Sequence, residues 1–250
     1  MNESIKFVLL ETSHPGNIGA SARAMKTMGF SELVLVNPKR FPAAEASERA
    51  AGADDLLYEA TVVETIDAAI SDAHFVLGTS ARPRHLAVPE WSPERAAEVL
   101  AARLRDGPVA LLFGRERSGL SNEELDRCQA FVRIRTNPDF SSLNLGAAVQ
   151  LMAYELRRHL DRAREPAGDQ AQSPSIERPT HAQLELMYAH FEETLSQIDY
   201  HNRDEPRLLM RRLRRLFNRS DLELAELQIL RGMLSAVQRQ LKLRSEFDGN

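Results

Sequence analysis

Short apolar runs alternate with helical patterns along the first 160 residues of this 250-residue chain. The run "IKFVLL" (residues 5–10) predicts a buried strand, and "LVLVN" (33–37) predicts the next one. Four further runs have the same character: "TVVE", "AHFVLGTS", "PVALLFG" and "AFVRIRT". Because strands separated by helices pair in parallel and have both faces covered, the alternation predicts an α/β fold with a mainly parallel sheet. The pattern alone favours an open doubly wound sheet, since knotted chains are very rare.

The remainder of the chain differs in character. Residues 161–179, "DRAREPAGDQAQSPSIERP", contain three prolines and no periodic apolar pattern, which predicts a linker. Helical patterns then follow, the first opened by a capping box of Thr180 with Gln183. We therefore expect an α/β domain over residues 1–160, a linker over 161–179 and a small all-helical extension over 180–250.

Composition excludes several classes of protein. Hydrophobic residues make up 43% of the chain, which allows a packed core. No apolar run approaches the roughly 18 residues of a membrane span, and the first residues do not resemble a signal peptide. We therefore expect a cytoplasmic protein without a membrane partner. The single cysteine, Cys128, excludes an internal disulfide framework and a zinc site of clustered cysteines, and it is expected to be a buried thiol. No metal site is predicted.

One segment of the extension is strongly basic. Residues 207–219, "RLLMRRLRRLFNR", contain no acid in a chain of net charge −4. Leucines at helical spacing (Leu209, Leu213, Leu216) predict a core-facing side, so that Arg211, Arg214 and Arg215 point away from the core. A solvated charged face is one interpretation. Binding to RNA phosphates is the other, because the uncompensated charges repel one another.

A glycine-containing loop follows the first strand. In "HPGNIGASARAMKTMGF" (residues 14–30), a proline and two glycines precede a predicted helix that carries Arg23 and ends at Gly29. A strand, a glycine turn and a helix can hold a phosphate. The spacing is neither the dinucleotide fingerprint nor a P-loop, so nucleotide-dependent oxidoreductases and NTPases are not indicated. Taken alone, Arg23 is equally well explained as a solvated helical residue.

Three more loops combine small, polar and charged residues at predicted strand ends. They are "LGTSARPR" (77–84), "LFGRERSGLSNEEL" (112–125) and "NPDFSSLNLGAAVQLMAYEL" (137–156). Ligands of α/β sheets bind at the carboxyl ends of the strands, so these loops predict a shared site. A surface Arg–Glu pair would explain the charges of the loop 112–125, but not its two glycines. A core helix would explain the segment from Ala147 onward, but not Ser141, Ser142 and Asn144 before it.

Three of these segments resemble, in order and spacing, the motifs of the SPOUT methyltransferases. They are "NIGASAR" (17–23), "FGRERSGL" (113–120) and "SSLNLGAAVQ" (141–150). The resemblance is greatest to the TrmH-like branch, which methylates ribose 2′-hydroxyls, and within it to bacterial tRNA methyltransferases. It implies a trefoil knot in the C-terminal part of the sheet domain, S-adenosyl-L-methionine as cofactor, and a homodimer with the active site near the subunit interface. It also implies tRNA as substrate, with methylation at nucleotide 32 of the anticodon loop, a cytidine or uridine.

The resemblance also implies roles for single residues. Arg23 is expected to clamp an RNA phosphate and orient the hydroxyl, with Asn17 orienting Arg23 or the substrate. The implied catalytic residues are Asn17, Arg23, Glu116, Ser142 and Asn144. The implied cofactor pocket comprises Thr79, Ser80, Ala81, Gly114, Ile134, Ser141, Ser142 and Leu143. RNA contacts are expected from Arg23, Arg115, Arg211, Arg214 and Arg215. At Gly114 we expect the ligand to approach the backbone closely.

Two alternatives within the family remain open. The chain could be a non-catalytic RNA-binding module that has kept the fold, or it could methylate another RNA such as rRNA. DNA is not an expected partner.

Overall fold

The computed structural model describes residues 4–80, 88–164, 177–202 and 208–248. It divides into two compact units, Met1–Ser175 and Ile176–Asn250. No helix among the described residues is long and apolar enough to cross a membrane.

The first unit contains a seven-stranded sheet with helices between the strands. The strands are β1 (Ile5–Leu10), β2 (Leu33–Val36), β3 (Thr61–Val63), β4 (Phe75–Thr79), β5 (Glu90–Trp91), β6 (Val109–Phe113) and β7 (Ala130–Val132). The helices are α1 (Pro15–Thr27), α2 (Ala44–Ala50), α3 (Asp54–Tyr58), α4 (Ile66–Ile70), α5 (Pro93–Arg103), α6 (Asn122–Leu125) and α7 (Leu145–Arg164), with a short 3₁₀ turn at Pro138–Phe140.

The sheet has the order β3-β2-β1-β6-β4-β7-β5, and the strands pair in parallel. In the centre, Phe7 of β1 lies opposite Leu33 of β2 on one side and Leu111 of β6 on the other. The predicted α/β fold is confirmed, and all six predicted strand segments contain strands. The two-residue strand β5 was not predicted, because it contains no apolar run. The trefoil knot stays a prediction.

Both faces of the sheet are covered, as the apolar runs require. Alternate residues of β1 enter two separate cores: Phe7 and Leu9 belong to one, Val8 and Leu10 to the other. Cys128 is fully buried in the second core, where burial raises the pKa of its thiol. The prediction of a buried thiol is therefore confirmed.

Helix α1 begins earlier than predicted. It starts at Pro15, so the segment predicted as a glycine loop is its first turns. Proline suits this position because its missing N–H would be unpaired there anyway. Gly19 then lies against α2: a Cβ atom on it would come within 2.0 Å of the Ala46 carbonyl oxygen. The glycine therefore allows two helices to approach closely, and the prediction that it belongs to a loop is wrong.

Helix α7 continues through residues 161–164, the first part of the predicted linker. Its apolar side carries the buried residues Val149, Met152 and Leu156, spaced three and four apart. The predicted linker therefore begins as helix.

The second unit consists of α8 (His181–Gln197), α9 (Leu209–Ser220) and α10 (Leu224–Asp248). The predicted capping box at Thr180 and Gln183 is present. The small hydrophobic core of this unit consists of four buried residues, Leu184, Met187, Tyr188 and Leu227. Five partly buried residues pack against this core: Phe191, Met210, Phe217, Leu222 and Leu230.

The predicted core-facing side of α9 is incorrect. Leu216 is 50% exposed, whereas Met210 and Phe217, seven residues apart, contact the core. The orientation of α9 about its axis that was predicted from the leucine spacing is wrong by about one residue, which is a rotation of about 100°.

Candidate active site

A pocket lies where three neighbouring strands, β6, β4 and β7, end. Its wall is formed by Thr79 and Ser80 at the end of β4, by residues 113–119 at the end of β6 and in the loop after it, and by Val132, Ile134 and Thr136 at and beyond the end of β7. The loop before α7 closes it with Ser141, Ser142 and Leu143, and the first turn of α7 contributes Leu145 and Ala148. The structure thus brings together every predicted cofactor residue that it describes. Ala81 lies outside the described residues.

The pocket offers two kinds of surface. Apolar side chains include Ile134, Leu143 and Ala148, and hydroxyl groups are supplied by Thr136 and Ser142. S-adenosylmethionine has an aromatic base together with a ribose and an amino-acid group, so this mixed lining fits it. The hydroxyl of Thr79 donates to the Leu112 carbonyl at 2.9 Å, which fixes that side chain against β6.

Gly114 has a role besides the one predicted. A Cβ atom there would come within 2.2 Å of the Gly119 carbonyl carbon and 2.3 Å of the Leu120 nitrogen. The loop therefore closes on itself across Gly114, and Arg115 pairs with Gly119 as an antiparallel bridge. The protein's own backbone makes a close approach that requires glycine, and Gly114 also lines the pocket.

Glu116 joins the loop after β6 to the start of α1. Its carboxylate accepts hydrogen bonds from the backbone nitrogens of Ser13 (3.1 Å) and His14 (3.2 Å) and from the Ser13 hydroxyl (3.0 Å). His14 is the N-cap residue that precedes α1, and its own side chain does not cap the helix. Glu116 therefore supplies the cap from a distant part of the chain, and its negative charge suits the helix N-terminus.

The same carboxylate holds Asn17, which in turn contacts Asn144. The Asn17 amide nitrogen donates to Glu116 at 3.0 Å, and the Asn17 amide oxygen accepts from the Asn144 amide nitrogen at 2.9 Å. The Asn144 amide oxygen accepts from the Ala147 backbone nitrogen at 3.3 Å, near the start of α7. One chain of hydrogen bonds thus connects all three sequence motifs.

The surroundings of Glu116 keep it ionised. Burial alone would raise its pKa, but hydrogen bonds from Asn17 and from backbone N–H groups outweigh burial and lower the pKa to about 2. A carboxylate with this pKa is a weak base and carries no proton to donate near neutral pH. The geometry thus favours an orienting role for Glu116.

Arg115 does not occupy a position suited to RNA. Its guanidinium donates to both carboxylate oxygens of Glu124 (3.1 and 3.0 Å) and also binds Glu11. Hydrogen bonds from Arg115 and Lys39 lower the pKa of Glu11 to about 2. Because two carboxylates of the same chain already neutralise Arg115, we correct its expected role from RNA contact to fastening the loop against β1.

Arg23 is exposed on α1 and does not line the pocket. In the described part of the chain its side chain makes no hydrogen bond, and only its carbonyl is used, as acceptor for the Thr27 hydroxyl at 2.8 Å. Asn17 lies six residues earlier, which places the two side chains about 120° apart around the helix. The expectation that Asn17 orients Arg23 is therefore wrong. Ser142 is exposed at the rim of the pocket.

In the second unit, Arg214 is turned toward the helices. Its guanidinium lies 4.4 Å from the centre of the Tyr188 ring, and it forms a two-point ion pair with Glu185, one contact being 2.7 Å. The expectation that Arg214 points away from the core is wrong, because α9 is rotated as described above. Arg211 and Arg215 are half-buried, and Arg212 and Arg219 are exposed.

Sequence reasoning missed several contributors. Thr136 lines the pocket and its hydroxyl donates to the Ser141 carbonyl at 3.0 Å, which shapes the loop before α7. Arg117 is exposed and also lines the pocket. Glu124 forms a capping box with Ser121 at the start of α6, and it also binds Arg115. Among the described residues no group of His, Cys, Asp and Glu side chains could hold a metal ion.

Comparison with known proteins agrees with this geometry. Residues 4–154 match the SpoU rRNA methylase family, and residues 182–246 match the C-terminal domain of the tRNA methyltransferase TrmJ. A TrmJ of Pseudomonas aeruginosa, named as a tRNA (cytidine/uridine/adenosine-2′-O-)-methyltransferase, is 47% identical over 245 residues, which are 96% of this chain and 95% of that protein. The chain belongs to the TrmJ family of tRNA methyltransferases.

Solved structures support the same assignment. TrmJ from Zymomonas mobilis aligns with a TM-score of 0.81 at 31% identity, over 93% of this chain and 98% of that one. An S-adenosylmethionine-bound rRNA methyltransferase from Sinorhizobium meliloti aligns with a TM-score of 0.51 at 25% identity, over 64% of this chain and 58% of that one. The predicted family, its S-adenosylmethionine-dependent 2′-O-methyltransferase activity and the cofactor are thereby confirmed.

Proposed function

We propose that the protein transfers a methyl group to the ribose 2′-hydroxyl of nucleotide 32 in the anticodon loop of tRNA. The observation that carries this proposal is the joining of the three motif loops, around one pocket, by the hydrogen bonds from Glu116 through Asn17 to Asn144. The relationship to TrmJ proteins supports tRNA as the substrate. DNA is excluded as a substrate of this reaction because it lacks the 2′-hydroxyl.

The chain's own residues would hold the cofactor and position the acceptor. S-adenosylmethionine supplies a methyl group on a positively charged sulfur. Ile134, Leu143 and the backbone around Ser141 would hold its base and ribose. Ser142, at the exposed rim, is placed to contact the incoming ribose. Glu116, Asn17 and Asn144 act as orienting residues that keep these loops in register.

We assign to Arg23 a contact with a phosphate of the RNA. An exposed guanidinium binds a phosphate through two parallel hydrogen bonds, which would fix the ribose next to it. A guanidinium is a poor base, so Arg23 would orient the 2′-hydroxyl without acting as its base. The hydroxyl proton would pass to solvent as the methyl group moves from sulfur to oxygen. Arg117, exposed at the pocket, is a second candidate for a phosphate contact.

The position of Arg23 leads to the proposal of a homodimer. Arg23 does not line the pocket of its own chain, and we propose that a second copy brings it to one. Helix α7 carries two exposed apolar residues in this unit, Leu151 (41%) and Tyr154 (51%), which pairing would cover. A trefoil knot around the pocket and a cytoplasmic location are parts of the same proposal.

The second unit is assigned to tRNA binding at a distance from the reacting ribose. Arg211 and Arg215 remain candidate phosphate contacts, and the exposed Arg212 and Arg219 replace Arg214 in this role. Contacts of this kind position a large RNA without reading its sequence.

Two synthetic tRNAs test the proposed nucleotide. One carries a 2′-deoxyribose at position 32 and the other at position 34, and both are incubated with the protein and labelled S-adenosylmethionine. We expect the first substitution to abolish methyl incorporation and the second to leave it unchanged. Loss of incorporation only with the position 34 substitution would contradict the proposal, as would incorporation into rRNA but not tRNA.

A further inference from the structure

Phe140 is an exposed aromatic residue beside the pocket. It is the last residue of the 3₁₀ turn Pro138–Phe140, and it is 80% exposed. Thr136 and Ser141, which flank this turn, both line the pocket, whereas Phe140 itself is not part of the lining. A side chain this exposed adds little to the stability of the chain's own fold. Its placement next to a substrate pocket therefore points to a contact with a ligand.

Three hydrogen bonds give the turn a defined shape. The Phe140 backbone nitrogen donates to the Asn137 carbonyl at 3.0 Å, and the Asn137 side-chain oxygen accepts from the Asp139 backbone nitrogen at 3.0 Å. The Thr136 hydroxyl joins the two ends of the segment by donating to the Ser141 carbonyl at 3.0 Å. The backbone thus sets the position of Phe140 relative to the pocket and leaves its ring accessible. A ring positioned in this way loses little freedom when it binds a partner.

The charges near the turn favour an uncharged part of the RNA. Residues 137–144 contain one acid, Asp139, which is exposed, and no base. The carboxylate of Asp139 would repel a phosphate. Exposed arginines stand on either side, Arg135 before the turn and Arg117 in the loop after β6, and these are suited to the phosphates. The flat apolar ring suits a nucleobase, since the faces of bases stack on aromatic side chains.

We propose that Phe140 stacks on the base of the nucleotide whose ribose is methylated. A base held beside the pocket brings its own ribose to the opening, where Ser142 is exposed. Stacking uses the π-face that every base has, so the contact would position the nucleotide without selecting strongly among bases. The inference rests on the proposed transfer to a ribose of tRNA, but not on which nucleotide receives the methyl group.

Combining changes in the ring with removal of the base tests the contact. Phe140→Ala removes the ring, and Phe140→Trp keeps an aromatic ring at the same position. The matched control is Tyr58→Ala, because Tyr58 is 85% exposed in the same unit and lies outside the pocket lining.

Two substrates are compared after mass spectrometry has identified the nucleotide that the wild type methylates. One is the intact tRNA, and the other is the same tRNA without the base of that nucleotide, whose ribose keeps its 2′-hydroxyl. Initial rates with labelled S-adenosylmethionine give kcat/KM for each protein with each tRNA.

We expect Phe140→Ala to lower kcat/KM for intact tRNA by about tenfold, because loss of one stacking contact has an effect of this order. Phe140→Trp and Tyr58→Ala should stay within about twofold of wild type. Removing the base should lower the wild-type value by a similar factor, and Phe140→Ala should then lower it no further. Because the ring is exposed, Phe140→Ala should keep the wild-type melting temperature, oligomeric state and affinity for S-adenosylhomocysteine.

Four results would overturn the proposal. An unchanged kcat/KM of Phe140→Ala for intact tRNA, or an equal loss with both tRNAs, would show that the ring does not act through the base. Weaker binding of S-adenosylhomocysteine by Phe140→Ala would place the ring at the cofactor. A changed oligomeric state in sedimentation would place it against a second copy of the chain. Absence of methylation of intact tRNA by the wild type would instead contradict the proposed function, and the stacking with it.

Discussion

At the scale of single residues, Glu116 links the chemistry of the site to its folding. Its carboxylate caps α1 and holds Asn17, so the same negative charge serves the helix and the hydrogen-bonded chain. Its pKa is lowered from 4.5 to about 2, which means that the folded state favours the ionised form. The stabilisation is fully present above pH 4.5 and is lost as the pH falls from 4.5 through about 2.

Glu116→Gln should therefore destabilise the protein in a pH-dependent way. The amide cannot accept from all the same donors, and loss of a helix cap costs about 1 kcal/mol. We expect the difference in free energy of unfolding from wild type to be largest at neutral pH and to narrow as the pH falls below 4.5. Denaturant unfolding at several pH values measures it. The control is Glu123→Gln, at an exposed neighbouring position, which should change the free energy of unfolding little. If the loss of stability in Glu116→Gln did not vary with pH, the assignment would be contradicted.

Gly114 gives a second prediction for a single residue. A methyl group there would lie 2.2–2.6 Å from backbone atoms of Gly119 and Leu120, so Gly114→Ala must open the loop. Overpacking of this kind costs about 1–3 kcal/mol. We expect a lower melting temperature together with weaker binding of S-adenosylhomocysteine, measured by calorimetry. Ser47→Ala, exposed on α2 and outside the pocket lining, should alter neither; wild-type stability of Gly114→Ala would show that the loop does not need to close in this way.

At the scale of elements, the arginines of α9 separate into two groups with different expected effects. Arg212 and Arg219 are exposed, whereas Arg214 binds Glu185 and Tyr188. We expect Arg212→Glu/Arg219→Glu to weaken tRNA binding and to reduce its salt dependence by about one unit of log–log slope per lost phosphate contact.

The matched variant for this experiment is Arg214→Met, which removes an ion pair and a contact with an aromatic ring inside the second unit. It should lower the stability of that unit while leaving the salt slope of tRNA binding close to wild type. Filter binding over a range of salt concentrations measures both variants. A wild-type slope for Arg212→Glu/Arg219→Glu would mean that these arginines do not contact phosphate.

The sequence predicted elements well where the local pattern is strong and poorly where distant contacts decide. The strands other than β5 are apolar runs of three to six residues, so they could be recognised. The start of α1 could not, because its cap comes from Glu116, about 100 residues away in the chain. The orientation of α9 about its axis was predicted wrongly because leucines and arginines are interspersed along this helix. Only the packing of Met210 and Phe217 shows which face contacts the core.

At the scale of the whole molecule, the sequence motifs located the pocket but not the connections within it. Glycines and serines at strand ends indicated Thr79, Gly114 and Ser141, and the structure brings these together. The pairing of Arg115 with Glu11 and Glu124 depends on which strands are neighbours, and spacing along the chain does not reveal that. The order β1-β6-β4-β7, which places the three motif loops side by side, is likewise a property of the folded chain.

The central claim is that this protein methylates a ribose 2′-hydroxyl of tRNA with the help of Arg23. The most direct measurement incubates unmodified tRNA with the protein and S-adenosylmethionine and identifies the nucleosides by mass spectrometry, in parallel for wild type and Arg23→Ala. We expect a 2′-O-methylated nucleoside with the wild type, and at least about a hundredfold slower formation with Arg23→Ala at unchanged affinity for S-adenosylhomocysteine. A methyl group found on a base, or wild-type activity of Arg23→Ala, would contradict the account.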